Sequence, residues 1–451
     1  MIFQQFYLTC LAHASYLIGD ETSRRAVVVD PQRDVGQYVA FAAERGLTIT
    51  AVVLTHIHAD FVAGHLALRD QVGATVHLGR RAAVEFAFHA LGEGDVIDLG
   101  MVRLRTLETP GHTPEGISLV VAEGAAQPTA VLTGDTLFVG DIGRPDLLAS
   151  VGVSADTLAR DLFASLRKLA ALPDAVKVYP AHGAGSMCGK NLGKETSSSI
   201  GQEKIGNYAL NIRDEAAFIA AVTADQPEAP AYFGHDVALN KREHATAVQP
   251  STAMDVSQFE AVIASGAQVV DVRDPAAFAG AHVIGAFNVG LRGQFAMWAG
   301  AVLDPARDIV VVADPGDQDE TLIRLRRIGF DRVRGHLDGG MAALAGRLAL
   351  VGGSRRIDAE DLGRRLQQAD PPLVIDVRRH DEYANGNIPG SRNIPLQVLG
   401  RSLAGLPHDQ EIVVHCAGGY RSAIAASVLS AHGFTVADLV GGYSAWKQQR
   451  R

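Results

Sequence analysis

The chain has 451 residues, 47% apolar and 20% charged, with a formal net charge of −9. One core stops growing near about 250–300 residues, so several domains are expected. The mildly acidic balance shows no basic stripe, which excludes nucleic acid or anionic membrane as a charge-driven partner. Three widely spaced cysteines, Cys10, Cys188 and Cys416, make no disulfide framework and fit a reducing compartment. No apolar run reaches the roughly 20 residues of a membrane span. Met1-Ile2-Phe3-Gln4-Gln5-Phe6-Tyr7 lacks a basic segment and reads as an opening strand, so a cytoplasmic location without a signal peptide is expected.

After that strand, in which Cys10 and His13 read as core, four apolar strands each run into a turn bearing a metal-type donor. Residues 49–54 lead to Thr55-His56-Ile57-His58-Ala59-Asp60-Phe61, and 102–107 to Thr109-Pro110-Gly111-His112. Val131-Leu132 leads to Thr133-Gly134-Asp135, and residues 176–179 to Pro180-Ala181-His182. Each turn alone fits a solvated loop or helix cap as well as a ligand. Four in order, all at strand ends, converge on one sheet edge, where α/β structures bind their ligands. Imidazole with carboxylate is a donor set for zinc, iron or manganese.

The stretch 183–207 is rich in Gly and Ser and holds Lys190, Lys194 and Lys204. It reads equally as a wrap for an anionic carrier and as a solvated loop, with Cys188 a spare thiol. Residues 223–252, with Pro227, Pro230 and Pro250, read as an interdomain connection. An internal repeat follows. Val270-Asp271-Val272-Arg273 returns as Ile375-Asp376-Val377-Arg378, residues 309–312 as 412–415, and Gly339-Gly340-Met341 as Gly441-Gly442-Tyr443. Each copy alternates strands and helices, which predicts two α/β modules with parallel sheets at 252–346 and 355–451, behind a first domain at 1–245.

In the second copy a buried-type strand runs into Cys416-Ala417-Gly418-Gly419-Tyr420-Arg421-Ser422 and then a helix. Backbone N–H groups at such a turn favour a thiolate, taking a thiol from about 8.5 into a range of roughly 3.5–7.5. Opposite Cys416 the first copy offers Ala313 or Asp314, depending on a one-residue gap, followed by an acidic loop. Without a thiol it is expected to be catalytically dead, a spacer or interface.

The first 200 residues resemble the metallo-β-lactamase superfamily, an αββα sandwich, through Thr-His-x-His-x-Asp, Pro-Gly-His-Thr and Thr-Gly-Asp. Two-zinc members carry a further histidine where this chain has Phe61. The remaining set His56, His112 and Asp135 is similar to the iron ligands of the persulfide dioxygenase branch, which implies one Fe(II) per chain. Similarity extends over 133–138, Gly143-Arg144-Pro145-Asp146 and Tyr179-Pro180-Ala181-His182. It implies that His58, Asp60 and His182 orient the ligands or hold water, and that Arg144 contacts the thiol carrier; Lys190 of the polar stretch is a further candidate contact.

The Cys-x4-Arg loop is one residue shorter than that of cysteine phosphatases and resembles the rhodanese family. That resemblance implies Cys416 as sulfur carrier with Arg421, Asp376 and Arg378 as catalytic companions, although Asp376 also reads as strand-end scaffold and Trp446 as core. Gly418, Gly419, Tyr420 and Ser422 would cradle the sulfur donor. The layout is similar to persulfide dioxygenase–rhodanese fusions. Expected partners are a thiol persulfide (glutathione or coenzyme A), O2, and sulfite or thiosulfate, with no nucleic acid or membrane; a homo-oligomer is neither required nor excluded. The competing expectation is a dizinc thioester hydrolase similar to glyoxalase II.

Overall fold

Two six-stranded sheets pack face to face in the first part of the computed structural model, which describes residues 1–125, 127–147, 152–190, 192–224, 226, 229–246 and 251–449. The first sheet runs in sequence order: Ile2–Leu8, His13–Gly19, Arg25–Val29, Thr48–Val53, Thr75–Gly79 and His89–Leu91. The second orders Ser198–Ser199, Lys177–Pro180, Ala130–Gly134, Ile117–Glu123, Val102–Glu108 and Val96–Asp98. Alternation places Tyr16, Ile18, Val27, Val29 and Val53 from one sheet against Leu104, Leu119, Val121 and Leu132 from the other, in one dry cluster.

Helices cover the outer faces. The helix Ala155–Ala170 buries Leu158, Leu162, Leu166 and Leu169, one stripe at helical spacing, against Val120, Val131 and Val178. Its N-cap Ser154 accepts a hydrogen bond from Thr157 N. The result is the expected αββα sandwich.

This sandwich, with residues 233–248, forms one compact unit, and nearly all of 249–451 forms another. The interdomain stretch expected at 223–252 is thereby corrected in part. It contains the α-helix Phe233–Asn240, whose buried Asn240 bonds the His58–Phe61 turn. Pro227 and Pro250 lie outside the described residues.

The second unit holds two five-stranded parallel sheets of identical order. One runs Ala253–Met254, Val333–Leu337, Ile309–Val312, Gln268–Asp271, Phe287–Asn288. The other runs Arg355–Ile357, Val436–Leu439, Ile412–His415, Leu373–Asp376, Arg392–Asn393. Asp271 pairs with Val312 as Asp376 pairs with His415, so the residue opposite Cys416 is Ala313, not Asp314. Among the described residues no helix is long and apolar enough to cross a membrane.

Candidate metal centre and cysteine loop

Strand ends of the sandwich bring His56, His112 and Asp135 together. All three are buried, and one donor atom from each lies within 4.8 Å of the others. The Nε2 atoms of His56 and His112 stand 3.7 and 3.5 Å from Asp135 Oδ2. Their Nδ1 atoms are engaged elsewhere, which fixes the tautomers. His112 Nδ1 donates to the Arg144 carbonyl at 2.9 Å, an oxygen that can only accept. Thr55 Oγ1 gives its proton to Asp30 Oδ2 at 2.8 Å, so His56 Nδ1 donates to Thr55 Oγ1 at 3.0 Å. Both Nε2 lone pairs are therefore left for a cation beside a buried carboxylate, and the donor set fits a divalent iron or zinc. Burial opposes ionisation of Asp135, yet the imidazoles of His182, His56 and His112 hold its carboxyl well below the usual range.

Residues around the triad hold its turns. His182 bridges two carboxylates, with Nδ1 2.8 Å from Asp135 Oδ1 and Nε2 2.8 Å from Asp60 Oδ2. Burial disfavours its charge, but Asp135 and Asp60 outweigh it and raise the His182 pKa well above normal. His58 turns away from the triad and puts Nε2 3.0 Å from Asp30 Oδ1. Asn240 donates to the carbonyls of His58 and Phe61 at 2.9 and 2.7 Å and accepts from Ala63 N at 2.9 Å. Phe61 is buried with its ring centroid 4.1 Å from His13 and 4.4 Å from His58, a phenyl wall beside the His56–Asp60 turn.

Asp30 and Asn240 were missed by sequence reasoning. Asp30 follows the apolar run 26–29 at a strand end, as the other ligand turns do, and has a left-handed backbone at φ 51°. That strand-end pattern was its available signal; Asn240 had none. Mutation of Thr55 to valine should cut metal affinity about tenfold in a chelator competition, because His56 loses the acceptor that orients it.

His13 is buried as expected, but it lies beside the site, 5.4 Å by ring centroids from His182. Cys188 is packed inside the fold. It is buried with its sulfur within ligand reach of Asp60 and His182, and burial pushes its pKa well up. Arg144 is held by Asp146 through contacts of 2.8 and 2.6 Å, and its carbonyl serves His112. Lys190 Nζ reaches the carbonyls of Ala221 and Ala224, and Lys204 pairs with Asp174 at 2.6 Å. Within the chain these cations face a carboxylate or the carbonyls at a helix C-terminus.

The Cys416 turn is built by backbone. Gly419 N donates to Cys416 Sγ at 3.1 Å, and Gly419 has φ 116°, a conformation that favours glycine. Tyr443 N and Ser444 N bond the carbonyls of Cys416 and Ala417 at 2.8 and 3.1 Å. A Cβ on Gly442 would collide with the Cys416 carbonyl, so Gly441-Gly442 closes over the loop only without a side chain there. Arg421 forms a bidentate pair with Glu382, both contacts at 2.7 Å. Gly418 is exposed at the mouth, whereas Ser422 is buried and donates to Gly419 O at 3.2 Å.

Asp376 and Arg378 make a buried fork at 2.6 Å, with Arg378 also on Gly386 O at 2.7 Å. Asp271 and Arg273 repeat it at 2.6 Å, with Arg273 on Ala281 O at 2.8 Å. The fork is present both in the copy with the cysteine and in the copy without it. Trp446 is core, as expected.

A family model described as the metallo-β-lactamase superfamily matches residues 8–182, and one described as the rhodanese-like domain matches 255–346 and 358–449. The chain is 33% identical over 171 residues to the mitochondrial persulfide dioxygenase ETHE1 of Mus musculus, covering 37% of this chain and 63% of that protein. It thus spans just under two thirds of that relative's length. A hydroxyacylglutathione hydrolase of Rhodopseudomonas palustris is 31% identical over 255 residues, 55% of this chain and 89% of that one. The crystal structure of a metallo-β-lactamase from Staphylococcus aureus superposes with a TM-score of 0.68 at 34% identity, covering 74% of this chain and 98% of that one.

Proposed function

Because the chain belongs to the metallo-β-lactamase superfamily and continues into two rhodanese-like domains, we propose that it oxidises a low-molecular-weight thiol persulfide and transfers sulfane sulfur. The supporting observation is the His56–His112–Asp135 triad, whose neighbouring ligand position is a buried phenyl ring. Fe(II) held by these three residues supplies redox and Lewis-acid chemistry that side chains lack. One persulfide, one O2 and one water give the free thiol, sulfite and two protons.

The chain's residues do the rest. His56 and His112 keep their protons on Nδ1 and present Nε2, and Asp135 brings the negative charge. His182 holds a proton between Asp135 and Asp60. The Phe61 wall, packed on His13 and His58, keeps water from that side of the centre. The thiol carrier is glutathione or coenzyme A.

At the second site the Cys416 thiolate attacks the outer sulfur of thiosulfate or a persulfide. A Cys–S–S bond forms, the donor's S–S bond breaks, and sulfite or thiolate leaves with the electron pair. The Gly419 N–H faces that sulfur.

A second reading draws on the likeness to the hydroxyacylglutathione hydrolase: thioester hydrolysis at two zincs. That chemistry employs a metal pair, and Phe61 removes a ligand from the second position. Treatment with an Fe(II) chelator separates the activities. Persulfide-dependent O2 uptake should disappear and return with iron, while thiosulfate-dependent sulfur transfer stays constant. Uptake that survives complete demetallation sinks the dioxygenase reading.

A further inference from the structure

We propose that the cysteine-less rhodanese-like module is a positioning element for the Cys416 loop, seating the Tyr420 ring on its Gly290–Gly293 turn. The inference rests on the sulfurtransferase reading of Cys416 and gives the first copy a task within that reaction. Tyr420 opens the helix Tyr420–Ala431, four residues after the cysteine. Its hydroxyl donates to the Gly290 carbonyl of the other copy at 2.8 Å, so it points away from a substrate role.

Two glycines make room for the ring. A Cβ on Gly293 would overlap Tyr420, and one on Gly290 would press within 3.4 Å of Tyr420 Cε2. Neither glycine has a left-handed backbone, so the requirement is space, not conformation. The duplication supplies an internal control. Leu291 N bonds Val272 O as Leu396 N bonds Val377 O, which aligns Gly290 with Pro395 and Gly293 with Val398. Where no tyrosine must be seated, proline and valine stand in place of glycine.

The seat is firm. Arg324 Nη1 donates to Leu291 O at 2.8 Å, and Asn288 Nδ2 bonds the carbonyls of Asp271 and Arg273, both at 3.0 Å. The same helix is pinned a second time, where Asn288 N donates to the buried Ser427 Oγ at 2.9 Å. The first copy thus holds the start of the helix whose N-terminal turn presents Gly419 N to Cys416 Sγ. Loss of the seat lets that turn shift, and the N–H moves off the sulfur.

The test is a double-mutant cycle on the full chain, with two readouts. Alkylation of the Cys416 peptide is followed by mass spectrometry between about pH 5 and 9, and sulfur transfer from thiosulfate is measured at steady state. Gly293→Ala should raise the alkylation midpoint by about one pH unit and cut transfer about tenfold, while persulfide-dependent O2 uptake is unchanged. Tyr420→Phe, which removes only the hydroxyl, should cost about threefold. In a Tyr420→Ala background, Gly293→Ala should add nothing, because the clash is gone.

A wild-type alkylation profile in Gly293→Ala, or full additivity in the double mutant, overturns the proposal. If Gly293→Ala does not fold, an unchanged profile in both Tyr420 variants overturns it instead. Wild-type protein that transfers no sulfur from any donor removes the sulfurtransferase reading, while the alkylation profile still decides the positioning.

Discussion

Replacing His112 with alanine should leave a folded chain that retains less than about a hundredth of its affinity for iron and has no measurable persulfide-dependent O2 uptake. His112 lies in the turn after the strand Val102–Glu108, and its ring contributes one donor at 3.5 Å from Asp135 and one bond to the Arg144 carbonyl. Neither contact belongs to the sandwich core, where the packing comes from leucine and valine. The loss should therefore fall on metal and not on fold. With one of three donors removed, the remaining imidazole and carboxylate would hold a divalent ion weakly. Iron analysis by plasma emission and O2 uptake on the same preparation check this, with circular dichroism as the fold control. Sulfur transfer through Cys416 should be unaffected, since the two sites use separate residues. A His112→Ala protein with full iron content would show that the triad is not the binding site.

Cys416→Ser should abolish sulfur transfer, by at least about a thousandfold, while O2 uptake remains at the parental rate. Serine preserves the loop, because the turn depends on Gly419, Gly442 and the backbone bonds from Tyr443 and Ser444. An alkoxide is far harder to form than a thiolate at neutral pH, and an oxygen cannot carry the sulfane sulfur reversibly. Trapping of labelled sulfur on the protein gives a direct check: parental chain retains label at the Cys416 peptide, and the serine variant retains none there. Label found at Cys188 or Cys10 instead would reassign the carrier.

The strand-end turns made the triad legible in the sequence. A short apolar strand followed by Thr-His-x-His, Pro-Gly-His or Thr-Gly-Asp carries both position and chemistry, and the family resemblance singled out His56, His112 and Asp135 among those donors. The repeat was equally legible, because Asp-Val-Arg and Gly-Gly recur at matched spacing. What stayed hidden depends on contacts between distant segments. Asn240 reaches the His58–Phe61 turn from a stretch that reads as linker, and its helix owes its place to packing, not to a local signal. Cys188 lies in a stretch rich in Gly and Ser that gives no local sign of its burial beside Asp60 and His182. The internal partners of Arg144 and Lys190 were hidden for a related reason. A cation in a polar loop suggests an anionic ligand, whereas its contacts to Asp146 and to a helix C-terminus of the same chain depend on the fold. The ambiguity between Ala313 and Asp314 needed strand pairing to resolve.

The central claim is that the first domain consumes O2 with a persulfide. Anaerobically iron-loaded protein should be supplied with glutathione persulfide, then coenzyme A persulfide, while O2 and sulfite are followed together. One O2 consumed per sulfite formed, with iron near one per chain, is the expected result, and the faster substrate identifies the carrier. Bound zinc, no uptake on either persulfide, and cleavage of S-lactoylglutathione would contradict the account and establish the hydrolase.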